Sequence, residues 1–143
     1  MKPKELFDLV NHSFMRDNRE LHTAWKAISG TKAIAEDELE SIYVKNLFVK
    51  PDLKFVLMLS EGRIVTAHYV PAESEIRFDL FHKRDIGGMK LTEKTGSYGQ
   101  DVKLVISFRD GREIELHSAS DTNVHYQESY GHMLKEMFAS LSK

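Results

Sequence analysis

The chain has 143 residues, no cysteine, and 20 Lys+Arg against 22 Asp+Glu, for a formal net charge of -2. That length suits a single domain, residues 1–143, whose core needs neither disulfides nor a structural metal. The missing cysteine excludes disulfides, thiolate metal sites and cysteine nucleophiles, and the balanced charge argues against a dedicated duplex-nucleic-acid binder, which needs a basic excess.

From Pro3, a residue the first turn of a helix tolerates, Leu6, Phe7, Val10 and Phe14 recur at helical spacing, and Leu21, Trp25 and Ile28 resume it. Residues 4–29 are therefore expected to be helical, as one bent helix or two short ones, with Gly30 as the stop. Trp25 is read as core packing on an amphipathic helix rather than as a ligand platform. Around residues 31–49 the signals conflict. The acidic stretch from Asp37 suggests a short helix, while Ile42-Tyr43-Val44 and Leu47-Phe48-Val49 suggest a strand near 42–49. Pro51-Asp52 then reads as a turn.

From residue 53 onward the pattern is β. Phe55 to Leu59 is the longest apolar run, far too short for a membrane span and suited to a strand buried on both faces. Ser60-Glu61-Gly62-Arg63 reads as a turn and Ile64 to Val70 as the return strand. Next, Ile76, Phe78 and Leu80 share one strand face, with Arg77 and Asp79 on the other. His82 continues the apolar set and is expected at the core edge. Met89 and Leu91 mark another short strand, and residues 95–100 a loop. Val102, Leu104, Ile106 and Phe108 then alternate with polar residues. Asp110-Gly111 suits a two-residue type I′ turn, and Ile114 and Leu116 alternate again. Finally Tyr126, Tyr130, Met133, Leu134, Met137, Phe138 and Leu141 form a broad helical stripe, which Ser120 or Asp121 is placed to cap.

The fold class is α+β: a helical N-terminal segment, six or seven antiparallel strands and a C-terminal amphipathic helix laid on the sheet. Three stretches, Leu59-Ser60-Glu61-Gly62-Arg63-Ile64-Val65, Leu80-Phe81-His82-Lys83-Arg84-Asp85-Ile86 and Asp101 through Phe138, resemble bacterial pleckstrin-homology-like (PH-like) domains. The resemblance covers about residues 42–141 and implies a strongly bent sheet or partly open barrel, closed at one corner by the terminal helix. Residues 1–30 are extra to that family. The alternative architecture is helix-grip (START-like), which normally opens with a strand before its first helices.

Some PH domains bind phosphoinositide head groups through Lys and Arg around the first strand-to-strand loop. The resemblance places Lys50, Lys54 and Arg63 there. Val56 stands where the pattern has a further basic residue, and Asp52 adds negative charge. Three such cations gain only about 1 kcal/mol each at an anionic membrane, so no stable membrane association is expected. His125, Glu128 and His132, at spacings of 3 and 4, could share one helix face around a metal, but a solvated polar face is the simpler reading. His12, His22, His68 and His117 show no partner spacing. There is no Gly-x-Ser-x-Gly elbow, Walker loop or Gly-x-Gly-x-x-Gly, and Glu113 and Glu115 fall on the solvent face of a strand. The expectation is a cytoplasmic, non-enzymatic binding module with no cofactor and a protein or peptide partner. A small-molecule-binding helix-grip protein with enzymatic activity is the alternative, and anionic-lipid recognition the third reading. The oligomeric state is not fixed by one sequence.

Overall fold

The computed structural model describes residues 2–5, 19–50 and 52–143. The expected helical run through Leu6, Phe7, Val10 and Phe14, together with His12 and Pro51, lies outside the described residues. By its internal contacts the chain divides into two compact units, Met1–Phe81 and His82–Lys143. The fold is α+β. Among the described residues, no helix is long and apolar enough to cross a membrane.

In the first unit, helix α1 spans Arg19–Ser29 and buries Leu21, Ala24 and Ile28 at helical spacing. Glu20 in its first turn and Lys26 in its last complement the helix dipole. At Gly30 the pattern tightens: the Thr31 N–H donates to the Ile28 carbonyl at 3.0 Å, which ends the helix. The acidic stretch forms only a 3-10 turn, Glu36–Glu38, instead of a short helix, and strand β1 already begins at Leu39 and runs to Lys45. It stops there because Asn46 and Phe48 adopt left-handed backbone, with φ of 73° and 69°. The strand expected over 42–49 is thus shifted toward the N-terminus. Asn tolerates this backbone, and its side-chain amide donates to the Asp52 carbonyl at 2.8 Å.

Strands β2 (Lys54–Leu59), β3 (Arg63–Val70) and β4 (Glu75–His82) complete an antiparallel sheet in the order β1-β2-β3-β4. Glu61 and Gly62 turn the β2–β3 hairpin with positive φ at both residues. Phe55 to Leu59 are all buried, as their unbroken apolar run implies. Val44, Phe55 and Ala67 are paired across the sheet, as are Ile42, Leu57 and Val65. Both rows share a core with Leu21, Ala24 and Ile28 of α1. Each Val, Leu, Ile or Phe among them contributes about 1.5–3 kcal/mol by leaving water. On β4 the expected alternation shows in burial only in part: Ile76 is half-buried against the core of the first unit, and Arg77 and Asp79 are exposed. Phe81 is buried, while Phe78 and Leu80 are 38% and 53% exposed.

In the second unit, β5 (Ile86–Glu93), β6 (Val102–Phe108) and β7 (Glu113–His117) form a separate antiparallel sheet, β5-β6-β7. Among the described residues the seven strands therefore make two sheets and no closed barrel. A 3-10 turn at Lys83–Asp85 separates β4 from β5, and the Asp85 carbonyl is taken by the Arg109 N–H at 2.9 Å. That bond commits β5 to β6. The β6–β7 turn is a three-residue loop rather than type I′. Gly111 alone has positive φ, its N–H donates to the Phe108 carbonyl at 3.0 Å, and the Phe108 N–H donates to the Arg112 carbonyl at 2.9 Å.

After β7, one helical turn α2 (Ser118–Asp121) precedes the terminal helix α3 (Gln127–Leu141). Ser120 and Asp121 therefore do not cap α3. Its stripe is as read: Tyr130, Leu134, Met137 and Leu141 are buried, with Met133 and Phe138 half-buried.

Candidate functional site

The residues expected at a head-group site do not converge. Lys54 pairs across the hairpin with His68, not with Arg63. Arg63 lies five positions earlier on β3, roughly 16 Å along the strand. It is committed to an ion pair with Glu38 and donates to the Ala33 carbonyl. Arg63 therefore ties β3 to the segment before β1.

A different set of cations meets at the end of this sheet. Lys45 pairs with Lys54, and Lys54 with His68, so the three share one face across β1, β2 and β3. Val44, Phe55 and Ala67 pack with α1, so by strand alternation the basic row lies on the opposite face. Lys50 is exposed in the adjoining loop. His68 Nε2 lies 2.5 Å from Asp52 Oδ1, which places the loop carboxylate on β3 and partly cancels the charge of the row. Lys50 and Lys54 make no ion pair among the described residues. Together they offer two mobile cations to an anionic group.

The second unit repeats the His–Asp device. His117 Nε2 lies 2.6 Å from Asp101 Oδ1. In each case the Asp stands two residues before the strand partner of the His: Asp52 before Lys54, opposite His68, and Asp101 before Lys103, opposite His117. Both are diagonal cross-strand pairs. Neither is visible as a sequence spacing; the alternation over residues 102–116 specifies the register behind the His117 pair, whereas the unbroken apolar run of β2 specifies none for His68. The Asp101 carboxyl is held below the usual carboxylate range, first by this hydrogen bond and then by the charges of His117 and Lys94, against the opposing effect of burial.

Around His117 lies a buried polar group. Asp121 Oδ2 accepts the His117 N–H at 2.7 Å. Ser118 Oγ accepts the Val102 N–H and donates to the Gln100 carbonyl, both at 2.8 Å. Tyr130 is raised above the ordinary phenol range, chiefly by burial, with the Asp121 charge adding to it. A Ser beside a His–Asp pair suggests nucleophilic chemistry, but the Ser118 hydrogen is spent on Gln100 and the residue is fully buried. The cluster fastens the 94–101 loop to the end of β7.

His125, Glu128 and His132 are not brought together. His125 precedes α3, its N–H donating to Asn123 Oδ1, while His132 pairs with Glu136 at 3.0 Å. Among the described residues, no three His, Asp or Glu converge as metal ligands. His82 is half-buried beside the buried Phe81.

No protein-family model, no curated protein and no solved structure matches this chain.

Proposed function

We propose that the chain is a cytoplasmic, non-enzymatic binding module of PH-like architecture whose partner is a protein segment bearing acidic groups. The observation that carries the reading is the element order: a four-stranded antiparallel sheet, a three-stranded one, then a terminal helix laid on the second. Tyr130, Leu134, Met137 and Leu141 fill the space over the second sheet, which favours this reading over a helix-grip protein with a ligand cavity beneath that helix.

The anionic preference rests on Lys50 and Lys54 at the open end of the first sheet. A peptide is favoured over a membrane because two lysines beside Asp52 give too little charge for lipid alone. Cross-linking of the purified chain in native cell extract, followed by mass spectrometry, tests this. A partner cross-linked near Lys50 and Lys54 through an acidic segment, and lost in the Lys50→Glu/Lys54→Glu variant, is the expected result. A partner retained equally by that variant, or none cross-linked there, rejects the reading.

A further inference from the structure

The C-terminal end of α1 and the segment leading into β1 enclose a cleft of about 270 Å³, lined by Trp25, Ile28, Ser29, Ile34, Glu36 and Leu39. Its walls are apolar: Ile28, Ile34 and Leu39 are buried, and the half-buried Trp25 leans on Phe55 with ring centroids 6.5 Å apart. Its polar side chains are Ser29 and Glu36. The Ser29 hydroxyl is spent on the Lys26 carbonyl at 3.1 Å. Of the two glutamates in the 3-10 turn, Glu38 is taken by Arg63, whereas the Glu36 carboxylate has no side-chain partner among the described residues.

An apolar cup with one indole wall and one uncommitted carboxylate matches a particular ligand chemistry. The indole face attracts a cation through its quadrupole, the aliphatic walls take an apolar body, and Glu36 supplies the counter-charge. We propose that this cleft binds small organic monocations, an aromatic or aliphatic body carrying a single ammonium group. An anion is disfavoured by Glu36, and a neutral ligand leaves that carboxylate without a partner. The volume limits the ligand to a small one, so the affinity expected is only millimolar. The site is built on α1 and residues 34–39, outside the part of the chain that resembles PH-like domains, so it stands or falls independently of the function proposed above.

Trp25 is the single tryptophan of the chain, so its fluorescence reports the cleft directly. The probes are phenethylamine, 2-phenylethanol and 3-phenylpropionate, which keep the body and change the charge. The expected result is a saturable change with phenethylamine at a millimolar midpoint, with the alcohol and the acid weaker by roughly fivefold or more. Glu36 is exposed, so Glu36→Gln is expected to fold normally. It should weaken the amine severalfold toward the alcohol, with the residual preference owed to the Trp25 indole, and leave the alcohol unchanged. A midpoint equal for amine and alcohol, an amine response unchanged in Glu36→Gln, or no saturable response to the amine would each overturn the proposal.

Discussion

Gly131 of α3 faces the Gly99 backbone so closely that a Cβ there would collide with the Gly99 carbonyl oxygen and stand 3.0 Å from its carbon and 3.1 Å from Val102 Cγ2. The helix and the loop before β6 therefore meet backbone to backbone. In a free helix, Gly131→Ala would gain about 1 kcal/mol of propensity. Here a methyl group meets main chain that cannot rotate aside. The expected net effect is a loss of about 1–3 kcal/mol, read as a lower urea midpoint with an unchanged slope. A variant as stable as the parent would show that the loop does not rest on the helix.

The terminal stripe grades its members. Met137 is 7% exposed whereas Phe138 is half-buried. Met137→Ala is expected to cost about 2–5 kcal/mol, as buried truncations do, and Phe138→Ala less, despite its larger side chain. Thermal unfolding of both variants checks the order. A greater loss at Phe138 would mean that α3 is rotated about its axis relative to β6.

Acid should loosen the second unit in a defined way. The carboxyls of Asp101 and Asp110 are both held below their ordinary range, Asp101 first by His117 and Asp110 first by the Arg112 backbone N–H. A folded-state pKa below the unfolded one contributes stability that is fully present above the unfolded value. That stability is lost as pH falls through the ordinary carboxylate range toward the lowered folded value. Urea midpoints taken from neutral pH downward should fall across that window, and more shallowly in Asp101→Asn. Parallel curves for parent and variant would remove Asp101 from the account.

With Arg63 committed to Glu38, Lys50 and Lys54 are what is left of the three cations that the resemblance places at a head-group site. At about 1 kcal/mol each they supply roughly 2 kcal/mol, an affinity in the tens of millimolar. Sedimentation with phosphatidylserine or phosphoinositide vesicles at physiological salt should leave the chain in the supernatant. Micromolar binding abolished by Lys50→Ala/Lys54→Ala would instead put lipid recognition first.

What could be read in advance follows from which forces are local. The hairpin from Val102 to Leu116 was legible because its alternation is strict, and a one-residue slip would turn Leu104 and Ile106 outward. The end of β1 was hidden because Asn46 and Phe48 adopt left-handed backbone without being glycine. On β4, alternation set Ile76, Phe78 and Leu80 on one face, but period two does not say how far each is covered: Ile76 packs on the core, Phe78 and Leu80 are exposed, and Phe81 of the other face is buried. Asp121 looked like a helix cap, yet its carboxylate is used by the His117 N–H behind it. Trp25 was legible as a packing residue through its helical spacing. The cleft it lines was not, because Ile34 and Leu39 reach it only after the chain has turned at Gly30. Likewise Arg63 and Lys54 are near in sequence, but the register places them at opposite ends of the β2–β3 hairpin.

Among the described residues, five that are not glycine hold left-handed backbone: Asn46, Phe48, Glu61, Ser74 and Tyr98. Such backbone costs an L-residue about 1–2 kcal/mol, while placing glycine there gives back about 0.4–1 kcal/mol through a freer unfolded chain. At Ser74 and Tyr98, both exposed, the balance favours the replacement. Ser74→Gly and Tyr98→Gly should each raise the melting temperature by a few degrees, and a fall in either would show that the side chain is needed where it stands. Anyone wishing to harden this protein against heat would thus do well to begin by rewriting its corners.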